Sequence, residues 1–283
     1  MRILITGGNG QLGRALQTAF TSDKVEAFGH SELDITSREQ VSQTLSRLEP
    51  DFVIHAAAWT DTAGCERDPD LAMRVNCEGA AIVAEACRAT GLRMLYISSN
   101  ELFDGEKPTP YVEDDQPNPI NAYGRSKLEG ERRVRAVLDR ACIVRTSWLY
   151  GPGRESFPEK ILGAARRGGP LKLVTDESAS PTYTIDLAQG VARLAHERAS
   201  GLFHLTNAGA CSRREWAEEV LRLVGISVSI EPVTQEEYGG PYRKPVNSVL
   251  ENVNAVRLGI TLRPWREALA EYVRGAIAHG VPS

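Results

Sequence analysis

Short apolar runs alternate with longer stretches whose apolar residues return every three or four positions, and this alternation organises the first half of the chain. Residues 2–6, 25–28, 52–55, 93–97 and 142–146 are short, mostly apolar runs, the pattern of strands buried on both faces. Between them Leu12, Ala15, Leu16 and Ala19 recur at helical spacing. A second helix follows Ser37, where Thr36-Ser-Arg-Glu39 fits a capping box. An alanine-rich helix is expected over 71–90, with Gly91 as its cap, and a long one over 123–138. Strand, helix, strand in this order predicts an α/β fold on a doubly wound parallel sheet.

After Gly151-Pro-Gly153 the alternation is lost. Helices are expected over about 157–167, 185–197, 213–224 and 265–278, with short strands near 171–174, 202–205 and 228–232. Thr184 is a cap candidate with Asp186 near the positive helix end, and Ser212-Arg-Arg-Glu215 is a capping box. The expected organisation is a main domain over 1–150, to which segments of about 171–205 partly return, and a smaller α/β lobe over 151–283. Neither a linker nor an internal repeat interrupts it.

Composition narrows the partners. The 283 residues are 42% hydrophobic and 25% charged, as in ordinary globular proteins, and the net charge of -4 argues against nucleic acid or an anionic membrane as the main partner. Lacking an apolar run of bilayer length and a signal-peptide pattern, the protein is expected in the cytoplasm. Five cysteines without a Cys-x-x-Cys spacing read as reduced, mostly buried thiols, and five scattered histidines give no metal spacing.

The candidate chemistry starts at Gly7-Gly8-Asn9-Gly10-Gln11-Leu12-Gly13, a glycine turn between the first strand and the first helix. Gly7, Gly10 and Gly13 let the backbone turn and approach a diphosphate, while Gln11 and Leu12 begin a helix whose free N–H groups attract phosphate. This predicts a Rossmann-type dinucleotide site. At the end of the second strand stand Gly29, His30 and Ser31 where an acid would hold the ribose of NAD. That leaves room for a 2′-phosphate, so the reading inclines to NADPH, with NADH as the alternative. Arg14 or Arg38 would meet that phosphate unless both are solvated surface charges. Asp34, beside Ile35, can contact the adenine or make an Asx turn. Ala56, Ala57 and Ala58 suit a flat cofactor at a strand end, though core packing explains them almost as well.

Tyr123-Gly-Arg-Ser-Lys127 places a phenol and an ammonium on one helix face. An ammonium favours the ionised phenol, so Tyr123 is a candidate acid and Lys127 its tuner. Chance supplies roughly 0.17 such pairs in a chain of this composition, so the pair needs company. Ser99, at the end of the fourth strand, supplies it: its hydroxyl can bind the carbonyl that Tyr123 protonates.

With Phe103-Asp-Gly105, Arg145-Thr-Ser-Trp-Leu-Tyr-Gly151, Ser180-Pro-Thr182, Gly201-Leu-Phe-His-Leu205 and Pro245-Val-Asn-Ser248, these residues resemble the extended short-chain dehydrogenase/reductase superfamily, and within it the dTDP-4-dehydrorhamnose reductase family. The resemblance spans nearly the whole chain. It implies a two-lobed reductase that transfers hydride from NAD(P)H to the C4 ketone of a nucleotide-linked 6-deoxy-4-keto sugar. Ser99, Tyr123 and Lys127 would be catalytic, Phe103, Trp148 and Lys244 would join Ser99 and Tyr123 at the substrate, and a homodimer is a further expectation. The chain departs from the family pattern at Asn100 and Glu101, at Thr62-Ala-Gly-Cys-Glu66, and at Lys244, where arginine is usual. These departures bear on the sugar more than on hydride chemistry. Two alternatives remain: another nucleotide-sugar reductase, epimerase or dehydratase, and a non-catalytic regulatory subunit, because the β subunit of methionine adenosyltransferase resembles these reductases.

Overall fold

A computed structural model describes residues 1–278; residues 279–283 of the expected C-terminal lobe lie outside the described residues. The chain opens with β1 (Arg2–Thr6), α1 (Gln11–Ala19), β2 (Lys24–Phe28), α2 (Arg38–Leu48) and β3 (Phe52–His55). It continues through α3 (Thr62–Arg67), α4 (Pro69–Met73), a π-helical turn (Arg74–Glu78), α5 (Gly79–Ala89), β4 (Arg93–Ser99), α6 (Ala122–Val137) and β5 (Cys142–Thr146).

All five strands lie parallel in one six-stranded sheet, whose outermost strand beside β5 is residues Gly201–His204. Their apolar runs are divided between two cores by strand periodicity. Ile3, Ile5, Phe52, Ile54, Leu95, Ile97, Cys142 and Val144 face one side, with Leu12 and Leu16 of α1. Leu4, Val53, Met94, Tyr96 and Ile143 face the other, with Val41, Ala80, Val83 and Val134 from α2, α5 and α6. Burial on both faces is why these runs lack a polar face. The sheet order runs β2, β1, β3, β4, β5, so the winding reverses between β1 and β3, where a crevice opens at the strands' carboxyl ends.

The second half supplies β6 (Leu149–Tyr150), α7 (Phe157–Arg167), β7 (Leu171–Val174), β8 (Ser178–Ala179), β9 (Thr182–Tyr183), α8 (Thr184–His196) and β10 (Gly201–His204). Then come β11 (Cys211–Ser212), α9 (Arg213–Val224), β12 (Ile230–Val233), α10 (Gln235–Tyr238), α11 (Val253–Arg257) and α12 (Trp265–Ala278). Segment 171–205 is split. α8 packs on α1 and β10 completes the large sheet, whereas β7 pairs with β12 in a separate two-stranded sheet. A third core of Tyr150, Ile161, Leu173, Trp216, Leu221, Trp265 and Tyr272 fills that region.

Three local expectations change. Ser37, not Thr36, caps α2 by accepting from Gln40 N, because the Thr36 hydroxyl donates to Asp34. Thr184 begins α8 without capping it; Tyr183 holds the cap position, and the Thr184 hydroxyl presses on Gly151. The single helix expected over 71–90 is broken by the π turn. The Ser212 capping box is present, and all five cysteines are free and buried. Among the described residues no helix is long and apolar enough to cross a membrane.

Candidate functional site

The glycine turn closes the first wall of the crevice. Gly7 has φ +76°, and a Cβ there would stand 2.7 Å from Ala57 N, so the turn after β1 touches the end of β3 backbone to backbone. A Cβ on Gly13 would meet the Gly7 carbonyl at 2.1 Å, which is why α1 can start so close to the turn. α1 begins at Gly10 with neither a side-chain cap nor an acid in its first turn, so its N–H groups face outward uncompensated. This cradle, which any side chain would fill, fits a dinucleotide diphosphate.

Other expected cofactor residues divide. Ala56, Ala57 and Ala58 line the half-buried end of β3. Leu12 and Ile35 turn their side chains into the two cores and can offer only backbone to a ligand. The Gln11 amide is committed to the carbonyl oxygens of Gly151, at 2.6 Å, and Arg154. Asp34 makes the Asx turn, accepting from Thr36 N at 2.9 Å, and these hydrogen bonds hold its carboxyl below the usual range.

The chemistry-bearing groups meet one strand further along. Ser99 ends β4, with its Oγ accepting from Glu101 N at 3.2 Å and donating to Asn100 Oδ1 over a long 3.5 Å. α6 is capped by Asn121, whose Oδ1 accepts from Gly124 N at 2.8 Å, and carries Tyr123 and Lys127 toward the end of β4. The Lys127 ammonium donates to the Ile97 carbonyl at 2.8 Å and lies 4.1 Å from the centre of the Tyr96 ring. Burial pulls it down to about 7, against the upward push of Glu131. Beside it His55, hydrogen-bonded to Thr6 Oγ1 at 2.7 Å, is pushed down to about 3 by burial and by Lys127.

Tyr123 differs from the expectation. Burial raises its phenol above the ordinary range, Ser99 pulls it down, and Glu101, Cys65 and Tyr242 push it further up. Burial dominates, and the Lys127 ammonium is directed at the Ile97 carbonyl and the Tyr96 ring.

Of the expected substrate residues, Ser99 meets the Tyr123 hydroxyl, Trp148 and Lys244 are linked through Arg213 and Glu177, and Phe103 is left out. Phe103 has 0% exposure, stacked on Tyr111 in a packed cluster with Leu250, and has no surface to offer a ligand. Trp148 adopts φ +41°, a strained conformation for a bulky residue, and its half-buried ring is covered by the Arg213 guanidinium at 3.5 Å. Arg213 is held by buried Glu177 at 3.1 Å, whose other oxygen takes Lys244 at 3.5 Å. Tyr242 closes over Thr62 through its hydroxyl. Sequence reading missed Glu177, Arg213, Asn121 and Tyr242. Arg213 sits inside the Ser212 capping box, so helix-start chemistry accounted for it, and Glu177 belongs to no motif.

The family model for the RmlD substrate binding domain matches residues 1–277. dTDP-4-dehydrorhamnose reductase of Streptomyces griseus is 38% identical over 280 residues, covering 95% of this chain and 92% of that protein. The crystal structure of a dTDP-4-dehydrorhamnose reductase from Clostridium acetobutylicum superposes with TM-score 0.94 at 38% identity, covering 98% of this chain and 100% of that one. That of dTDP-4-dehydrorhamnose reductase from Bacillus anthracis, in complex with NADP, gives 0.93 at 35% identity, covering 97% and 99%.

Proposed function

The chain belongs to the family described by the RmlD substrate binding domain, and on that premise we propose that it is an NAD(P)H-dependent oxidoreductase that reduces the C4 ketone of a nucleotide-linked 4-keto-6-deoxy sugar. The observation that carries this reading is the hydrogen-bonded meeting of Ser99 and Tyr123, with Lys127 on the same helix and the glycine cradle two strands away.

The turn from Gly7 to Gly13 and the backbone of Ala56, Ala57 and Ala58 would hold the cofactor, which supplies a hydride when bound. The chain's own residues handle the oxygen. Ser99 would donate its hydroxyl to the ketone, which can only accept, in place of the long contact to Asn100 Oδ1. Tyr123 gives its proton to the same oxygen as it gains charge. Its raised affinity for the proton keeps it the protonated acid across the physiological range. Lys127 stands one turn further along the helix, where it would face the cofactor's ribose. Trp148 and Lys244 would line the sugar-nucleotide side, and the protein would work in the cytoplasm, as a homodimer if it self-associates. The nucleotide-binding half would span 1–150 with α8 and β10, and the remainder would form the substrate lobe.

Purified protein mixed with dTDP-4-keto-6-deoxy-mannose and NADPH or NADH should oxidise one nicotinamide per sugar reduced. Tyr123→Phe should lose roughly 10²–10⁴-fold in turnover while still binding cofactor. Unchanged turnover in that variant would remove Tyr123 from the role. A redox-neutral epimerase would convert the sugar without net oxidation. No reaction with any 4-keto nucleotide sugar would favour the regulatory-subunit alternative.

A further inference from the structure

Glu101 stands two residues beyond Ser99, in the cleft and unused by the chemistry above. Its backbone N–H donates to Ser99 Oγ at 3.2 Å, and its carboxylate Oε2 accepts from Asn121 Nδ2 at 2.6 Å. Asn121 caps the helix that carries Tyr123, so Glu101 is fixed to both sides of the ketone-binding pair. Among the described residues its second oxygen, Oε1, accepts no hydrogen bond, and it is not among the buried atoms left without a partner. One oxygen is therefore anchored and the other is accessible and unbonded, beside the Ser99–Tyr123 pair.

The charges around it define what can bind there. Glu101 feels the buried Glu177, Lys244 and Arg213, and its charge acts in turn on Tyr123 and Tyr242. Lys244 and Arg213 share the single Glu177 carboxylate, so the cationic side of the cleft lies with them. A carboxylate repels phosphate, which places Glu101 at the sugar end, and a carboxylate oxygen calls for a hydroxyl or N–H donor.

The substrate's chemistry then selects the donor. With the C4 oxygen between Ser99 and Tyr123, the neighbouring carbons are C3 and C5. In a 6-deoxy sugar C5 carries a methyl group and the ring oxygen, neither a donor, whereas C3 carries a hydroxyl.

Resting on the reductase reading above, we propose that Glu101 Oε1 accepts the C3 hydroxyl of the sugar, making Glu101 a residue that selects 4-keto sugars bearing a hydroxyl beside the ketone. The anchor on Asn121 lets this contact be made without ordering a mobile side chain. An acceptor that the bound sugar covers without giving it a donor penalises an analogue that lacks the hydroxyl.

The test compares dTDP-4-keto-6-deoxy-mannose with its 3-deoxy counterpart in the wild-type protein, Glu101→Gln and Glu101→Leu. NADPH binding, followed by fluorescence, reports that each variant is folded. The wild type should prefer the hydroxylated sugar in kcat/KM by roughly 10- to 100-fold, as expected for a hydrogen bond to a charged group. Glu101→Leu should bring the ratio close to one. Glu101→Gln, nearly isosteric, should lose mainly on the hydroxylated sugar, through KM more than kcat, and it decides the matter alone if the leucine variant does not fold. A ratio that survives both substitutions, or an equal loss on both sugars, overturns the assignment. If the wild type oxidises nicotinamide with neither sugar, the reductase reading itself is wrong.

Discussion

Lys127 holds a charge in a place that disfavours charge. Its side chain is 2% exposed, with one carbonyl hydrogen bond and an aromatic face as partners, and burial brings it down to about 7. An unfolded lysine titrates near ~10.4. Between those two pH values the unfolded chain binds more protons than the folded one, so this residue makes stability rise as pH climbs from 7 toward 10. Below pH 7 the buried ammonium weighs against folding in full. Lys127→Met should therefore melt at a higher temperature than wild type at pH 6, with the gain vanishing near pH 10, while turnover falls. Thermal scans at the two pH values check this; a gain independent of pH would contradict the buried charge. Lys127, Tyr123 and Ser99 were legible in the sequence because few residue types do this chemistry and helix and strand periods fix their facing. Glu177 and Arg213 were not, because the choice of partner for a charge is made by tertiary proximity. Nor was the orientation of the Lys127 ammonium, which local spacing brings near Tyr123 but the Ile97 carbonyl captures.

At the scale of elements, the π turn before α5 ties the site together. Asn76, 1% exposed within it, accepts from Trp59 N at 2.7 Å and donates to Trp59 O at 3.1 Å and to Ser126 Oγ at 3.0 Å. It thus fastens the loop after β3, with its three alanines, to the helix of Tyr123 and Lys127. Gly130 of that helix lies against the Asn76 carbonyl, where a Cβ would stand only 2.5 Å away. Asn76→Leu removes the acceptor of the part-buried Trp59 N–H and the donor to Ser126 Oγ, leaves the Trp59 carbonyl only the weak Cys65 thiol, and should cost about 2–3 kcal/mol. A melting-temperature fall of roughly 5–10 °C is expected on that basis. A loss well under 1 kcal/mol in chemical denaturation would show that water replaces the clamp. None of this was readable in advance: the apolar positions of 71–90 keep helical spacing through the turn, so the inserted residue leaves no mark in the pattern. Helix starts were read more closely. Ser212 was placed correctly, while at Thr36 the adjacent Asp34 competed for the hydroxyl and moved the cap by one residue.

At the scale of the molecule, a doubly wound parallel sheet was implied by the apolar runs, but not its strand order, and the return of β10 to the large sheet and of α8 to its α1 face could be read only coarsely, because 171–174 and 201–204 look alike as short runs and differ only in their partners. The cofactor's phosphate is a question at the same scale, since it depends on what the fold leaves near β2. Of the two arginines considered, Arg38 is paired with Glu85, whereas Arg14 spends its Nε on the Asn9 carbonyl and lies along Gly153 at the glycine turn. His30 is exposed just beyond the end of β2, and although 29–31 hold no acid, the Glu32 carboxylate accepts from Gly29 N at 2.9 Å. A 2′-phosphate bound there would have Arg14 as its cation and Glu32 as the charge to overcome. Ligand at about 100 times its dissociation constant stabilises the folded state by about 2.7 kcal/mol, which for a chain of this size corresponds to a rise of roughly 5–10 °C. At equal concentration NADPH should raise the melting temperature more than NADH does, and Arg14→Leu should erase most of that difference while Arg38→Leu leaves it in place. Equal shifts from the two nucleotides in the wild type would mean that the open end of β2 reads neither phosphate nor ribose, and that the preference has to be sought elsewhere in the crevice.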